Sequence, residues 1–448
     1  MSLCFKNRSF WWLALVTRED GLVSTTSHID LSALPWIRTA QGARLLKADG
    51  QPAPTIFEEM TAAAARTGAL NLGQGFPDTD GPEEMIRLAA DTMLSPHDHG
   101  GPSPNQYAPG TGTAELRDAV AQHQRRFYGL DLDPDTQVVA TTGATEAIAS
   151  TLLAFCTPGS NVVVLEPFYD SYGAIASLAG AELHPVPLLA PDFQPDPEAL
   201  RAAVDRDTAV IIVNDPHNPT GTRFTDTTRA LIVELARDND AVILADEVYE
   251  HLVFDGAHSP IATVPGAFER TITASSAGKT FSLTGWKVGW ATGPTNLISA
   301  LRSVKQFLTY SSGPAYQPAV AHGLGYPDVF FGERAADLGR RAVLLAGALE
   351  STGAHVYRPQ GGYFVVADLA PLGISDATAA ARLLPDVAGV VGIPVGVFCV
   401  PEHESGYASL LRFAHCKQDH VIESAAERLA AGLPRVADVL ASAAGGAA

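Results

Sequence analysis

Between residues 137 and 274, short runs rich in Val and Ile alternate with segments of helical periodicity, and this alternation limits the fold more than any other feature. Residues 137–141, 161–165, 208–213, 241–245 and 271–274 read as strands, and residues 145–155, 169–178 and 226–237 read as helices between them. The strands are apolar on both faces, so both faces of their sheet must be covered. Strands separated by helices return parallel to one another. The expectation is therefore an α/β fold, with a mostly parallel central sheet covered by helices. Ligands of such sheets sit beyond the carboxyl ends of the strands.

From residue 296 the pattern changes to longer helices, 296–308 and 333–349, followed by strands at 363–366 and 410–413. This predicts a smaller α+β domain. The division expected is a disordered extension over 1–43, an N-terminal part of the small domain over 44–80, a large α/β domain over 81–325, the small domain over 326–435 and a flexible tail over 436–448. Lys6 and Arg8 followed by the apolar run 10–16 imitate a signal peptide, but the run is short, closes on Arg18-Glu19-Asp20 and has no small-residue cleavage site. No segment approaches the ~20 apolar residues of a membrane span.

Acidic residues outnumber basic ones by 49 to 30, a formal charge of −19, which repels nucleic acid and anionic membrane and leaves small soluble substrates as the expected partners. Cys4, Cys156, Cys399 and Cys416 are scattered with no Cys-x-x-Cys pair. That spacing argues against a disulfide framework or a zinc cluster and fits a reducing cytoplasm.

Gly278-Lys279-Thr280 has the last three letters of a phosphate-binding P-loop, but the first glycine of that motif would be residue 273, which is Thr273, and no helical stripe follows. Lys279 is better read with the other strand ends. One strand runs into Asn214-Asp215-Pro216-His217-Asn218-Pro219, another into Asp246-Glu247-Val248-Tyr249, a third into Ser275-Ser276-Ala277-Gly278-Lys279 and an earlier one into Thr142-Gly143-Ala144-Thr145. In a parallel sheet these ends share one rim. They assemble an amine that can form a Schiff base, a carboxylate that can keep a pyridine nitrogen protonated, and a small-residue turn opening a helix that can hold a phosphate. One cofactor needs all three: pyridoxal phosphate.

Six motifs carry a resemblance: Asn71-Leu72-Gly73-Gln74-Gly75-Phe76-Pro77-Asp78, Asn105-Gln106-Tyr107, Asn218-Pro219-Thr220-Gly221, Asp246-Glu247-Val248-Tyr249, Ser276-Ala277-Gly278-Lys279 with the run 285–290, and Arg412-Phe413. In this order they resemble the class I aminotransferases of fold type I, from about Arg44 to Leu433. The nearest branch holds kynurenine, glutamine and methionine aminotransferases together with actinobacterial-type N-succinyldiaminopimelate aminotransferases. The resemblance implies transfer of an amino group from an amino acid to a 2-oxoacid in two half-reactions. Lys279 would be the Schiff-base lysine and the acid/base. Asp246 would pair with the pyridine nitrogen, and Asn218 and Tyr249 would bond the ring hydroxyl. Ser276, Lys287 and the backbone of Ala144 and Thr145 would hold the phosphate, while Tyr169 would stack on the ring. Arg412 would grip the substrate carboxylate, with Gly75 and Asn218 beside it. Tyr107 would reach the phosphate of a neighbouring subunit in a homodimer.

Two positions depart from the kynurenine pattern. Phe57 falls where those enzymes carry a tryptophan, and Gly143-Ala144-Thr145-Glu146 replaces their Gly-Gly-Tyr-Gly; both look more like the succinyldiaminopimelate type. His217 reads as a packing residue, because Lys279 already supplies proton transfer. A free guanidinium in the apolar run 410–414 should face the open cleft, solvated. Two other functions stay open at this level: a pyridoxal-phosphate lyase acting on cysteine conjugates, and a non-enzymatic effector-binding module.

Overall fold

The computed structural model describes residues 34–47, 49–94, 104–311 and 313–445. Helix α1 (Pro35–Gly42) opens the described chain, so this part of the expected disordered extension is ordered; residues 1–33 lie outside the described residues. The reason is a close approach. α1 packs on a later helix, and a Cβ on Gly42 would stand 2.3 Å from the Gly173 carbonyl oxygen, which only glycine allows.

The large sheet has seven strands: β1 (Val138–Thr141), β2 (Asn161–Glu166), β3 (Glu182–Pro187), β4 (Thr208–Asn214), β5 (Val242–Asp246), β6 (Thr271–Ser276) and β7 (Gly289–Thr292). Their order is β1-β7-β6-β5-β4-β2-β3, and β7 alone runs antiparallel to its neighbours. The expected mostly parallel α/β sheet is present. Alternate residues feed two cores: Val163, Ile211 and Ile243 lie in one, while Val162, Ile212 and Leu244 lie in the other. Both faces are buried, as strands without a polar face require. Helices α2 (Gly143–Phe155) and α3 (Asp170–Ala179) follow β1 and β2 and carry rim residues into the site.

The register aligns the chemistry. Asn214 pairs with Asp246 and Asp246 with Ala274, while Thr141 and Ser276 both pair with Gly289. The ends of β1, β4, β5 and β6 therefore lie along one edge.

Helix α4 (Asp328–Ser351) leads to a four-stranded antiparallel sheet of β8 (His355–Tyr357), β9 (Phe364–Asp368), β10 (Ile393–Pro394) and β11 (Leu410–Ala414), in the order β10-β11-β9-β8. Helix α5 (Asp419–Gly445) closes the chain and packs on α4. It runs through the expected flexible tail as far as Gly445, because Leu429, Leu433 and Val436 on its inner face are fully buried. Residues 70–72 are zipped to this half of the molecule. Leu70 and Asn71 pair with Val390 and Val391, and Ala414 N–H donates to the Leu72 carbonyl at 2.6 Å. Among the described residues no helix is long and apolar enough to cross a membrane.

Candidate active site

A cavity of about 230 Å3 opens at the shared rim of the large sheet. Ala144, Thr145, Tyr169, Asn218, Asp246, Tyr249, Ser276, Lys279 and Lys287 line it, so the structure brings together most of the residues predicted for the site. Gly75 and Arg412 stand next to these residues rather than in the lining. Tyr107 does not reach the cavity within one chain.

One end suits a phosphate. Gly143 starts α2 at φ 71, a left-handed conformation, and the first-turn N–H groups of a helix have no partner within it. Lys287, also left-handed at φ 53, places its amine 3.1 Å from where a Gly143 Cβ would stand. Gly289 lets β7 pass just as close, since a Cβ there would lie 2.7 Å from the Gly143 carbonyl carbon. Ser276 caps the short helix Ala277–Thr280 by accepting from Gly278 N–H at 3.1 Å, which leaves its own proton to donate. Backbone donors, a hydroxyl and an ammonium thus converge on one spot.

Asp246 is buried at the cavity wall, and burial pushes its carboxyl up to about 6. Tyr172 O–H donates to its Oδ2 at 2.5 Å, while Oδ1 is buried with no hydrogen-bond partner. A buried acceptor left in that condition costs about 1–3 kcal/mol, so the geometry calls for a further donor. Tyr172 was given no role from the sequence. Its position three residues after Tyr169, on the same face of α3, was the signal available.

Asn214, also given no role, starts a relay across the floor. Its side-chain amide donates to the Asp246 carbonyl at 2.8 Å, and its Oδ1 accepts from Asn218 N–H at 2.7 Å. Asn218 Oδ1 in turn accepts from Arg412 Nη1 at 3.1 Å. That contact fixes the Asn218 amide, leaving its NH2 group as the donor for a ring hydroxyl.

Lys279 Nζ donates to the Gly75 carbonyl at 3.0 Å and lies 5.8 Å and 5.3 Å from the centres of the Tyr249 and Tyr363 rings. Burial lowers its pKa, which favours the neutral amine that a nucleophile and base must be. Gly75 has no room for a side chain, because a Cβ would come within 2.3 Å of the Phe364 ring.

Arg412 departs from its expectation. It is 2% exposed rather than solvated. Its guanidinium lies 3.9 Å from the Phe364 ring centre, 4.6 Å from Phe398 and 5.7 Å from Phe57, and Nη2 donates to the Gly73 carbonyl at 2.7 Å. Aromatic faces and two neutral acceptors stabilise the charge where the sequence argument allowed only water or an anion. Phe57, singled out as a departure from the kynurenine pattern, thus belongs to the wall around this cation. His217 is buried with Nδ1 at 2.8 Å from Thr220 Oγ1, and burial pushes it down to about 4, as a packing residue would be.

Tyr107 is 80% exposed, its ring 5.6 Å from that of Tyr310. Elsewhere, His123, Glu250 and His251 bring ligating atoms within 4.8 Å of one another, but the two His Nε2 atoms face each other at 2.6 Å. That is a hydrogen bond, shorter than the roughly 3.3 Å between two nitrogens on one tetrahedral zinc.

The family model for aminotransferases of class I and II matches residues 67–429. A probable N-succinyldiaminopimelate aminotransferase of Mycobacterium tuberculosis is 46% identical over 84% of this chain and 96% of its own. The methionine aminotransferase of Escherichia coli is 33% identical over 84% of this chain and 95% of its own. A solved structure of the M. tuberculosis N-succinyldiaminopimelate aminotransferase superposes with a TM-score of 0.80, covering 85% of this chain and 97% of that one. This chain belongs to the class I and II aminotransferases. It is an enzyme of amino-group transfer with the type I fold, and its cofactor is pyridoxal phosphate. The aminotransferase's own residues fit that group: the unpartnered Oδ1 of Asp246 would accept from a pyridinium N–H, and the donors at Gly143, Ser276 and Lys287 would hold its phosphate.

Proposed function

We propose that this aminotransferase takes its amino group from N-succinyldiaminopimelate or a similarly long, acylated amino acid, and passes it to a 2-oxoacid. The 46% identity to the mycobacterial relative, against 33% to the methionine enzyme, is the observation that carries the choice of donor. Arg412 binds the substrate α-carboxylate by a two-pronged pair, releasing its hold on Gly73 or Asn218 as the anion arrives. Pyridoxal phosphate, when bound, supplies the covalent link to the substrate nitrogen and the electron sink. Lys279 Nζ takes the proton from the substrate α-carbon and holds it for return. Asp246 holds the ring nitrogen protonated, Tyr249 and Asn218 bond the ring hydroxyl, Tyr169 covers the ring face, and Ser276, Lys287, Ala144 and Thr145 hold the phosphate.

The active unit is a homodimer in which Tyr107 of one protomer reaches the phosphate of the other. The exposure of Tyr107 at 80% and Phe307 at 87% supports this, since aromatic groups so exposed on a monomer mark an association surface. A donor panel against 2-oxoglutarate and pyruvate tests the reading. The succinylated donor should give the highest kcat/KM, with a new amino acid and 2-oxoacid formed in equal amounts. A higher value for methionine or kynurenine overturns the choice of donor, and pyruvate with ammonia from cysteine conjugates as the main reaction would make the enzyme a lyase.

A further inference from the structure

Behind the Lys279 loop lies a second cavity, of about 220 Å3, which shares no lining residue with the first. Two guanidinium groups enter it, Arg334 and Arg341, seven residues apart and so on one face of α4, together with Ser282 and Tyr363. Arg341 is already paired, through Nε to Asp419 at 2.5 Å. Arg334 is not. Among the described residues no carboxylate comes within ion-pair distance of it; its Nη2 donates only to Ser282 Oγ at 2.5 Å, and its Nε is buried with no hydrogen-bond partner. Two carboxylates also line the cavity, but Asp337 is held by Arg340 at 2.8 Å, and both it and Asp80 are exposed to water that screens them. The inner end of the cavity is therefore cationic and rich in donors.

We propose that this cavity binds a small oxyanion, at a site separate from both the phosphate cradle and Arg412. Guanidinium donors that find no protein acceptor are the groups that take tetrahedral oxyanions and carboxylates, and Ser282, which accepts from Arg334, keeps its own hydroxyl proton to donate. The separation shows where β9 begins: Phe364, its first residue, covers Arg412, while Tyr363 just before it meets the second cavity. The site also touches the catalytic loop. Ser282 follows Lys279 by three residues, sits at φ 59, and shares its hydroxyl with Arg334, while Tyr363 O–H donates to the Lys279 carbonyl at 3.0 Å.

The experiment uses the enzyme with pyridoxal phosphate bound, so that the cradle is filled, and follows thermal unfolding as sulfate is added against sodium chloride of equal ionic strength. Sulfate stabilises proteins generally by exclusion, without saturating, whereas a site adds a saturating component. That component should be present in the unsubstituted enzyme and in Arg412→Lys, and absent in Arg334→Gln. No saturating component in the unsubstituted enzyme overturns the site, as does one that survives Arg334→Gln. A selenate soak of crystals of the unsubstituted holoenzyme is independent of how the variants fold: an anomalous peak between Arg334 and Arg341 supports the site, and selenate elsewhere only, an adventitious ion, overturns it. Parallel titrations with acetate and succinate identify the source, since saturation below the sulfate range names a carboxylate and saturation above it an inorganic oxyanion.

Discussion

Lys279 on the rim of the large sheet and Arg412 in the middle of the small one are two buried cations held in the same manner. Each donates to a carbonyl of the same N-terminal segment, Gly75 at 3.0 Å and Gly73 at 2.7 Å, and burial lowers the pKa of each. Their chemistry nevertheless separates. The lysine amine faces a cavity with the Asp246 carboxylate in it and gains access to its neutral form. Arg412 is pushed down to about 9, which still leaves it charged at neutral pH, and its delocalised plane is sandwiched by aromatic rings. The same desolvation thus favours the neutral amine in one and leaves the other a fixed cation, which suits them to the roles proposed for them, base and carboxylate receptor.

Removing the base should cost most. Lys279→Ala is expected to abolish the borohydride-reducible link to the cofactor and to lower kcat on the order of 10⁴-fold, because the other lysine in the lining, Lys287, has its amine at the Gly143 end. Peptide mapping after borohydride reduction checks this, and a cofactor-labelled peptide that lacks Lys279 in the unsubstituted enzyme would break the assignment.

Asp246→Asn comes next. It should retain cofactor through the phosphate cradle and lose on the order of 100-fold or more in kcat, since an amide cannot hold the ring nitrogen protonated. Near-normal single-turnover rates with full cofactor content are the contrary result.

Arg412→Lys sharpens the comparison from the other side. Lysine keeps the charge but not the planar paired donors, so kcat/KM for amino acid and 2-oxoacid should both fall by ~2–3 kcal/mol, about 30- to 150-fold, with cofactor content and melting temperature unchanged. An unfolded variant, or normal half-reactions, would make Arg412 structural.

The smallest effect concerns pH. Asp246 has a carboxyl raised to about 6, above its unfolded value near 3.8, so between these the folded protein binds more protons and its stability falls as pH rises. A cofactor that pairs with the ionised carboxylate removes that loss. The melting-temperature gain on adding pyridoxal phosphate should therefore be larger at pH 7 than at pH 5, by a few degrees, and the difference should shrink in Asp246→Asn. An identical pH trend in the variant would assign it to a group other than Asp246. Tyr172→Phe should act in the same assay, removing one donor from Asp246 and lowering kcat about 10-fold.

Most of the fold was legible because strand and helix periodicities are local. The rim strands appear within a residue or two of their expected ends, and the small-domain helix expected over 333–349 lies inside α4. The misreadings came from contacts far away in sequence. Residues 35–42 look like a loose extension until Gly42 meets Gly173, and residues 436–445 look like a tail until Val436 meets the core that α4 and α5 share with β9 and β11.

By itself the sequence determined most of the groups that line the rim cavity and which strand ends carry them, because each motif is a short stretch whose turn chemistry and strand pattern are written in neighbouring residues. Only the tertiary structure decided how those groups are paired. It set Tyr172 against Asp246, linked Asn214 through Asn218 to Arg412, and enclosed the guanidinium in Phe57, Phe364 and Phe398. The physical reason is that a charge's protonation and partners depend on what surrounds it in space. For Arg412 those surroundings come from residues about 14 to 350 positions away, a relation that no local pattern records.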